Sequence, residues 1–323
     1  MAILTVPSDP ELDALLGQYD LGEKRSAKGI EAGTVNTSYA LEMGRGRFFL
    51  RIYEEQPRAG AETEARLLLH LAASGVPTPA PVQAKDGSMV HVIAGKPAAL
   101  FPWVEGDMLC LRAVTPAAAH DVGVALARMH LAGPAEPVAT SLGAGRFGAD
   151  DLVARCDRVA KSNDAVARVL SEPLRDAVIL FDRKRRADLP RGLVHGDLFR
   201  DNVLWHEGKI AALLDFESAH RGPFAYDLAV TILSWSFRDN AANTPFDFAV
   251  ARAIVAGYRE VREIEESERE ALYVEAVFAA LRFTITRITD EAIRVGKKWQ
   301  RFVARREALE QLGPAGLREA LAL

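Results

Sequence analysis

Of the polar side chains between positions 193 and 217, three are spaced as chemistry would need them: Asp197, Asn202 after four intervening residues, and Asp215 thirteen positions further on. A hard divalent cation takes oxygen ligands from one or two carboxylates and leaves the rest of its shell to phosphates and water. Asn202 and Asp215 supply such a pair of oxygens. Asp197 precedes them on the same stretch, where a general base or hydroxyl-orienting group belongs. Asp and Asn are also ordinary turn and capping residues. It is the order of three complementary roles, at this spacing, that points to phosphoryl transfer.

Those residues need a scaffold that gathers them. Val203 to Trp205 and Ile210 to Leu214 are short apolar runs around the turn pair Glu207-Gly208, so a hairpin is predicted. It starts just after Asn202 and ends at Asp215, which returns the two side chains to one end. Before it, the chain reads as a small β-rich part and then a helical one. A short helix over 9–19 opens it, strands follow over 25–42 and 47–53, and a helix runs from about Ala61 to Ser74, stopped by Gly75 and Pro77.

The loop from Glu31 to Ser38 is rich in small residues, and Gly33, Asn36 and Ser38 are candidates for laying backbone N–H groups over phosphates. Arg51, on the strand after the loop, is a candidate phosphate contact, with Glu64 on the next helix as its partner in preference to Glu62. Strands over 89–101 lead into Phe101-Pro102-Trp103, and an apolar strand running into Pro and Gly suits a hinge whose main chain faces an adenine ring. The division expected is therefore a nucleotide-binding lobe over 1–101, a hinge over 102–106, and a catalytic and acceptor-binding lobe over 107–323.

Beyond the hinge, Thr115-Pro116 opens a helix to about Leu131, and one or two helices are expected over 150–187. Gly222-Pro223 reads as a turn before an apolar helix from Phe224, with helices over 246–264, 267–294 and 297–322 completing the chain. Asp227, at the start of its helix, either caps it or bonds back to the catalytic stretch. Gly143-Ala144-Gly145-Arg146-Phe147-Gly148 matches G-x-G-x-x-G, but no strand precedes it, so no dinucleotide site is expected there.

Composition narrows the field further. A net charge of −4 with no aromatic-rich basic patch argues against a nucleic-acid partner. No run of about 18 apolar residues suggests a membrane span. The N-terminus lacks the features of a signal peptide, and two cysteines give no disulfide framework, so a reducing, cytoplasmic setting is expected.

His195-Gly196-Asp197-Leu198-Phe199-Arg200-Asp201-Asn202 together with Leu214-Asp215-Phe216-Glu217 resembles the aminoglycoside phosphotransferase and choline kinase superfamily. Phe199, Pro223 to Val230, Ser234 to Phe237 and Ala280 to Arg287 make it most similar to the bacterial homoserine kinases of that superfamily. The resemblance implies an α+β, protein-kinase-like bilobal fold, with an antiparallel sheet and one helix in the small lobe and a larger helical lobe. It implies ATP and Mg2+ as cofactors, a small-molecule acceptor, and phosphorylation of homoserine on the route to threonine. Asp197 carries over as base, and Asn202 and Asp215 as metal ligands. Arg51 departs from the lysine usual at its position, and guanidinium is a planar fork rather than a point charge.

A zwitterionic acceptor needs a cation for its carboxylate, for which Arg282 and Arg287 are candidates, and an acceptor for its ammonium, for which Glu217 and Asp227 are candidates. Two rival readings remain at this point. One keeps the chemistry and changes the acceptor to choline, an aminoglycoside, a sugar or a protein serine. The other is a non-catalytic nucleotide-binding regulator, against which the presence of both Asp197 and Asp215 argues.

Overall fold

The computed structural model describes residues 3–31, 35–133, 142–143, 145–161, 165–238, 245–291 and 299–323. The chain divides into two compact units, one formed by the chain up to Gly106, the other by Asp107–Gly133 and Leu142–Leu323.

The first unit is an antiparallel sheet with two helices. Strands β1 (Lys24–Ile30), β2 (Thr37–Met43), β3 (Gly46–Ile52), β4 (His91–Ile93) and β5 (Lys96–Pro102) lie in the order β1-β2-β3-β5-β4. Helix α1 (Asp9–Leu16) is opened by a capping box in which the Ser8 backbone N–H donates to Glu11 Oε2 at 2.8 Å. Its Leu12, Leu15 and Leu16 join Tyr39, Leu41, Leu50, Ile52 and Leu100 of the sheet in one buried cluster. Helix α2 (Arg58–Ala73) begins three residues before the predicted start. Pro57, with φ −69°, already holds the geometry of the residue before a helix.

The second unit combines two small sheets with helices. Strands β8 (Val203–His206) and β9 (Lys209–Leu213) form the predicted hairpin, and both turn residues are left-handed, Glu207 at φ 49° and Gly208 at φ 76°. That pair gives the turn whose twist matches the flanking strands. Strand β6 (Asp107–Met108) adds to β8 and was not predicted, being only two residues long.

Gly222-Pro223 corrects another expectation: they are not a free turn but the end of strand β10 (His220–Pro223), antiparallel to β7 (Arg191–Val194). Pro223 is tolerated as a strand's last residue, and it serves at once as the N-cap of the next helix.

The helices of this unit are α3 (Pro116–Ala132), α4 (Ala149–Val159), α5 (Ala165–Asp182), α6 (Phe224–Trp235), α7 (Phe248–Val261), α8 (Glu266–Glu291) and α9 (Gln300–Leu321). Thr115 Oγ1 accepts from the Ala118 N–H at 3.2 Å and caps α3 as predicted. Helix α7 starts two residues late because Phe246 forms a β-bridge with Phe237 and Asp247 then caps the helix. The last helix is not continuous, since Gly313 at φ 64° followed by Pro314 kinks it. Among the described residues no helix is long and apolar enough to cross a membrane.

Helices α3 and α7 approach through glycines. A Cβ on Gly123 would stand 2.1 Å from the Ile254 carbonyl oxygen, and one on Gly257 would stand 2.1 Å from that of His120. The backbone cannot yield locally by that much. Gly123→Ala is therefore expected to lower stability by about 1–3 kcal/mol or more through overpacking, measured by chemical denaturation. A neutral or stabilising result, as for an ordinary mid-helix Gly→Ala change, would show that the close approach does not exist.

Candidate active site

Strand β7 leads into a loop whose shape is imposed from several sides. Gly196 turns at φ 74°, and a Cβ there would lie 2.9 Å from the Ser218 carbonyl oxygen. The N–H groups of His195 and Gly196 both point at one carboxylate: His195 N donates to Asp227 Oδ2 at 2.6 Å and Gly196 N to Asp227 Oδ1 at 2.8 Å. Asp227 is wholly buried and takes a third bond, from His130 Nε2 to Oδ2 at 3.0 Å, while His130 Nδ1 lies 2.7 Å from the Tyr258 hydroxyl.

Burial pushes the Asp227 carboxyl upward, but the donors around it outweigh that and hold it below the ordinary range. Burial likewise lowers the affinity of His130 for a proton. Of the two sequence-level roles for Asp227, these contacts select the loop anchor. Both its oxygens are engaged inside the protein, so it is corrected as an ammonium acceptor.

The rest of the loop is tied to the helices. The Leu198 carbonyl accepts from Trp235 Nε1 at 3.0 Å and from Ser234 Oγ at 3.2 Å. Phe199 packs edge-on against Phe283 and Phe302, at centroid distances of 4.8 and 6.1 Å. Arg200 Nη1 donates to the Leu109 carbonyl at 2.9 Å.

The hairpin brings Asn202 and Asp215 together as predicted, because the Leu214 N–H donates to the Asn202 carbonyl at 2.8 Å. Leu214 O in turn accepts from His195 Nε2 at 3.0 Å, which fixes the imidazole tautomer. Asn202 Nδ2 donates to the Asp197 carbonyl at 2.8 Å, so the amide oxygen is the atom that Asn202 can offer to a cation. Asp215 sits in the left-handed region, φ 62° and ψ 68°, a conformation that costs a non-glycine residue of order 1 kcal/mol and is kept where side-chain aim matters.

The Asp197 carboxylate keeps some exposure, 27% of its side chain, with Oδ1 3.5 Å from Arg282 Nη1. Burial and the neighbouring Asp215 charge push its pKa up, against the opposing pull of Arg282 and Arg287. Both arginines thus act on Asp197 electrostatically, although five residues apart on α8. Glu217 lies half-buried in the single 3-10 turn that follows Asp215.

Among the described residues no three His, Cys, Asp or Glu side chains gather as a self-sufficient metal cage. One amide oxygen and one carboxylate fit instead a hard cation that shares its shell with phosphates.

In the first unit, Arg51 and Glu64 meet as predicted, Nη1 to Oε1 at 3.0 Å, with side chains 16% and 4% exposed, so this is a buried pair rather than a surface one. Ser38 is not on the loop; it is the second residue of β2, buried, and pairs across the sheet with Arg51. Asn36 Oδ1 accepts from the Glu54 N–H at 3.2 Å. Gly33 lies outside the described residues. Phe101 is buried in β5, tilted against Phe49 at 6.4 Å, and Trp103 lies under the Arg47 guanidinium at 4.2 Å.

A loop aspartate ahead of an Asn/Asp oxygen pair, with a buried Arg–Glu pair joining a strand of a separate antiparallel sheet to helix α2, is the equipment of a phosphotransferase with the kinase-like fold. The chain belongs to the phosphotransferase enzyme family, whose model matches residues 26–264. It is 35% identical over 293 residues to a homoserine kinase of Caulobacter sp. (strain K31), covering 90% of this chain and 89% of that protein. It is 36% identical over 291 residues to a homoserine kinase of Acidiphilium cryptum (strain JF-5), again over 90% and 89%.

Solved structures share the fold at lower identity. An amicoumacin kinase in complex with AMP-PNP, Ca2+ and Ami superposes with a TM-score of 0.71 at 16% identity, over 95% of both chains. Spectinomycin phosphotransferase in complex with ADP and spectinomycin gives 0.68 at 13% identity, over 98% of both.

Asp227→Asn replaces an acceptor with a donor against N–H groups that have no other partner in the loop. It is expected to lower stability by about 1–3 kcal/mol and to depress turnover more than it raises either Michaelis constant. Unchanged stability and turnover would remove the anchoring role.

Proposed function

We propose that this protein transfers the γ-phosphoryl group of ATP to the side-chain hydroxyl of homoserine, giving O-phosphohomoserine and ADP. The observation that supports it best is likeness to proteins named homoserine kinases at 34–36% identity over 90% of the chain, a span that includes the helices beyond the catalytic hairpin.

In this reading Asp197 accepts the hydroxyl proton as the oxygen forms its bond to the γ-phosphorus and the bond to the ADP oxygen breaks. Its raised proton affinity suits a group that must take up that proton while the hydroxyl is being aimed. Asn202 Oδ1 and the Asp215 carboxylate are the ligands for a divalent cation, Mg2+ by the hardness and number of their oxygens. When bound, that ion neutralises phosphate charge as it develops.

Arg51, held by Glu64, contacts the phosphates of the nucleotide as a fork, and the main chain around Asn36 and the segment Phe101–Trp103 complete the nucleotide contacts. The acceptor is a small molecule.

The reading is tested by incubating the purified protein with Mg-ATP and, in turn, homoserine, choline, an aminoglycoside and a sugar. The product is identified by phosphorus NMR. Homoserine is expected to be the efficient acceptor, with turnover abolished by EDTA and restored by Mg2+. Asp197→Asn should lower kcat by about 10²–10⁴-fold and leave nucleotide affinity largely intact, whereas Asp215→Ala should weaken binding of the metal–nucleotide complex. Efficient phosphorylation of choline or an aminoglycoside with none of homoserine would remove the acceptor assignment, and near wild-type turnover by either variant would remove the site.

A further inference from the structure

Three residues that follow the first glycine of the G-x-G-x-x-G match wall a cavity beside the catalytic loop. Gly145, Phe147 and Gly148 line it together with Gly196, His220, Tyr226 and Arg282, and its volume is about 80 Å³. Pockets for drug-sized ligands measure roughly 300–1,000 Å³, so this cavity suits a small acceptor. All of these residues belong to the second unit.

Of the arginines on the cavity wall, Arg185 gives Nε and Nη2 to Glu275 at 2.8–3.1 Å, and Arg191 is exposed. Arg282 differs. It is only 4% exposed and is clasped between the rings of Phe147 and Phe283, at 4.3 and 3.8 Å. Its Nη1 faces the Gly196 carbonyl at 3.3 Å and Asp197 Oδ1 at 3.5 Å, yet among the described residues its buried Nε meets no hydrogen-bond acceptor. The Nε–H and the adjacent Nη2–H form the edge of a guanidinium that binds carboxylate through two parallel hydrogen bonds. A buried donor without an acceptor is costly unless a ligand supplies one.

His220 supplies the complementary group. Its Nδ1 lies 2.8 Å from the Ser218 carbonyl, which can only accept, so the proton is on Nδ1 and the neutral ring offers the lone pair of Nε2. Burial, which lowers the proton affinity of the ring, keeps it neutral. Glycines give the ring its room. A Cβ on Gly145, at φ 88°, would lie 2.7 Å from His220 Cδ2, and one on Gly222 would lie 3.0 Å from Nε2.

We infer that this cavity holds the α-amino-acid end of the acceptor, with the Arg282 Nε/Nη2 edge binding its carboxylate and His220 Nε2 accepting from its ammonium, so that the side-chain hydroxyl reaches Asp197. The inference rests on the reading of the chain as a homoserine kinase and adds the groups that recognise the acceptor.

The test compares three acceptors with the same hydroxyl: homoserine, 3-aminopropan-1-ol, which lacks the carboxylate, and 4-hydroxybutyrate, which lacks the ammonium. Wild-type kcat/KM should favour homoserine over each by roughly tenfold to a hundredfold, the value of one charge-assisted contact. Arg282→Gln should erase the preference over 3-aminopropan-1-ol while keeping that over 4-hydroxybutyrate, and His220→Phe should do the reverse, with KM for ATP unmoved. Gly145→Ala, whose methyl would stand 2.9 Å from His220 Nε2 and so crowd the atom that accepts from the ammonium, should copy His220→Phe.

Wild-type enzyme that uses homoserine but shows no preference over either analogue would overturn the inference, whether or not the variants fold. Variants that leave both preferences at their wild-type values, whatever they do to kcat on all three acceptors alike, would do the same, because that pattern belongs to a role through Asp197 or the fold and not to recognition of the acceptor. Wild-type enzyme that ignores homoserine would instead sink the underlying functional reading.

Discussion

The carboxylate of Asp227 is the fixed point of the catalytic unit. Two consecutive N–H groups, His195 and Gly196, converge on it in a setting closed to water, and each would cost about 1–3 kcal/mol if left without an acceptor. The anchor is itself held by His130 of α3, which is held by Tyr258 of α7. Three helices thereby fix the backbone from which Asp197 projects. The Trp235 and Ser234 bonds to Leu198 O and the aromatic packing of Phe199 prevent the loop from rotating about that anchor.

Rigid backbone on one side of Asp197 is matched by charge on the other. Asp215 and burial raise its proton affinity, and Arg282 and Arg287 moderate the effect. The net effect of burial and these charges is a proton affinity above that of an ordinary aspartate. The 3.5 Å separation from Arg282 is longer than a normal hydrogen bond, so the pair interacts by charge more than by a shared proton. Meanwhile Asn202 ties the loop through Asp197 O, which leaves its amide oxygen as the atom for the proposed cation site.

The hairpin, the Asn202/Asp215 pairing, the Arg51–Glu64 contact and most helices were legible in the sequence because each depends on local spacing or on a turn signal such as Glu207-Gly208. The kinase-like fold was legible through the loop and hairpin motifs. What escaped depends on distant segments meeting. Strand β10 hid behind Gly222-Pro223, whose composition signals a turn. The buried state of Ser38 follows from sheet register, and the kink at Gly313 from a backbone angle that a single glycine does not announce. His220, His130 and Tyr258 carry no motif at all, and Gly145, which gives His220 its room, lies in a G-x-G-x-x-G match whose lack of a preceding strand excluded a dinucleotide site but left no other reading.

The central claim is that Asp197 meets the acceptor hydroxyl while Asn202 and Asp215 hold the cation. A crystal structure with a non-hydrolysable ATP analogue, Mg2+ and homoserine measures this directly. The account predicts the homoserine hydroxyl at about 2.6–3.2 Å from an Asp197 oxygen and Mg2+ at about 2.0–2.1 Å from Asn202 Oδ1 and an Asp215 oxygen. A hydroxyl bound to a different side chain, or a cation held without Asp215, would contradict it.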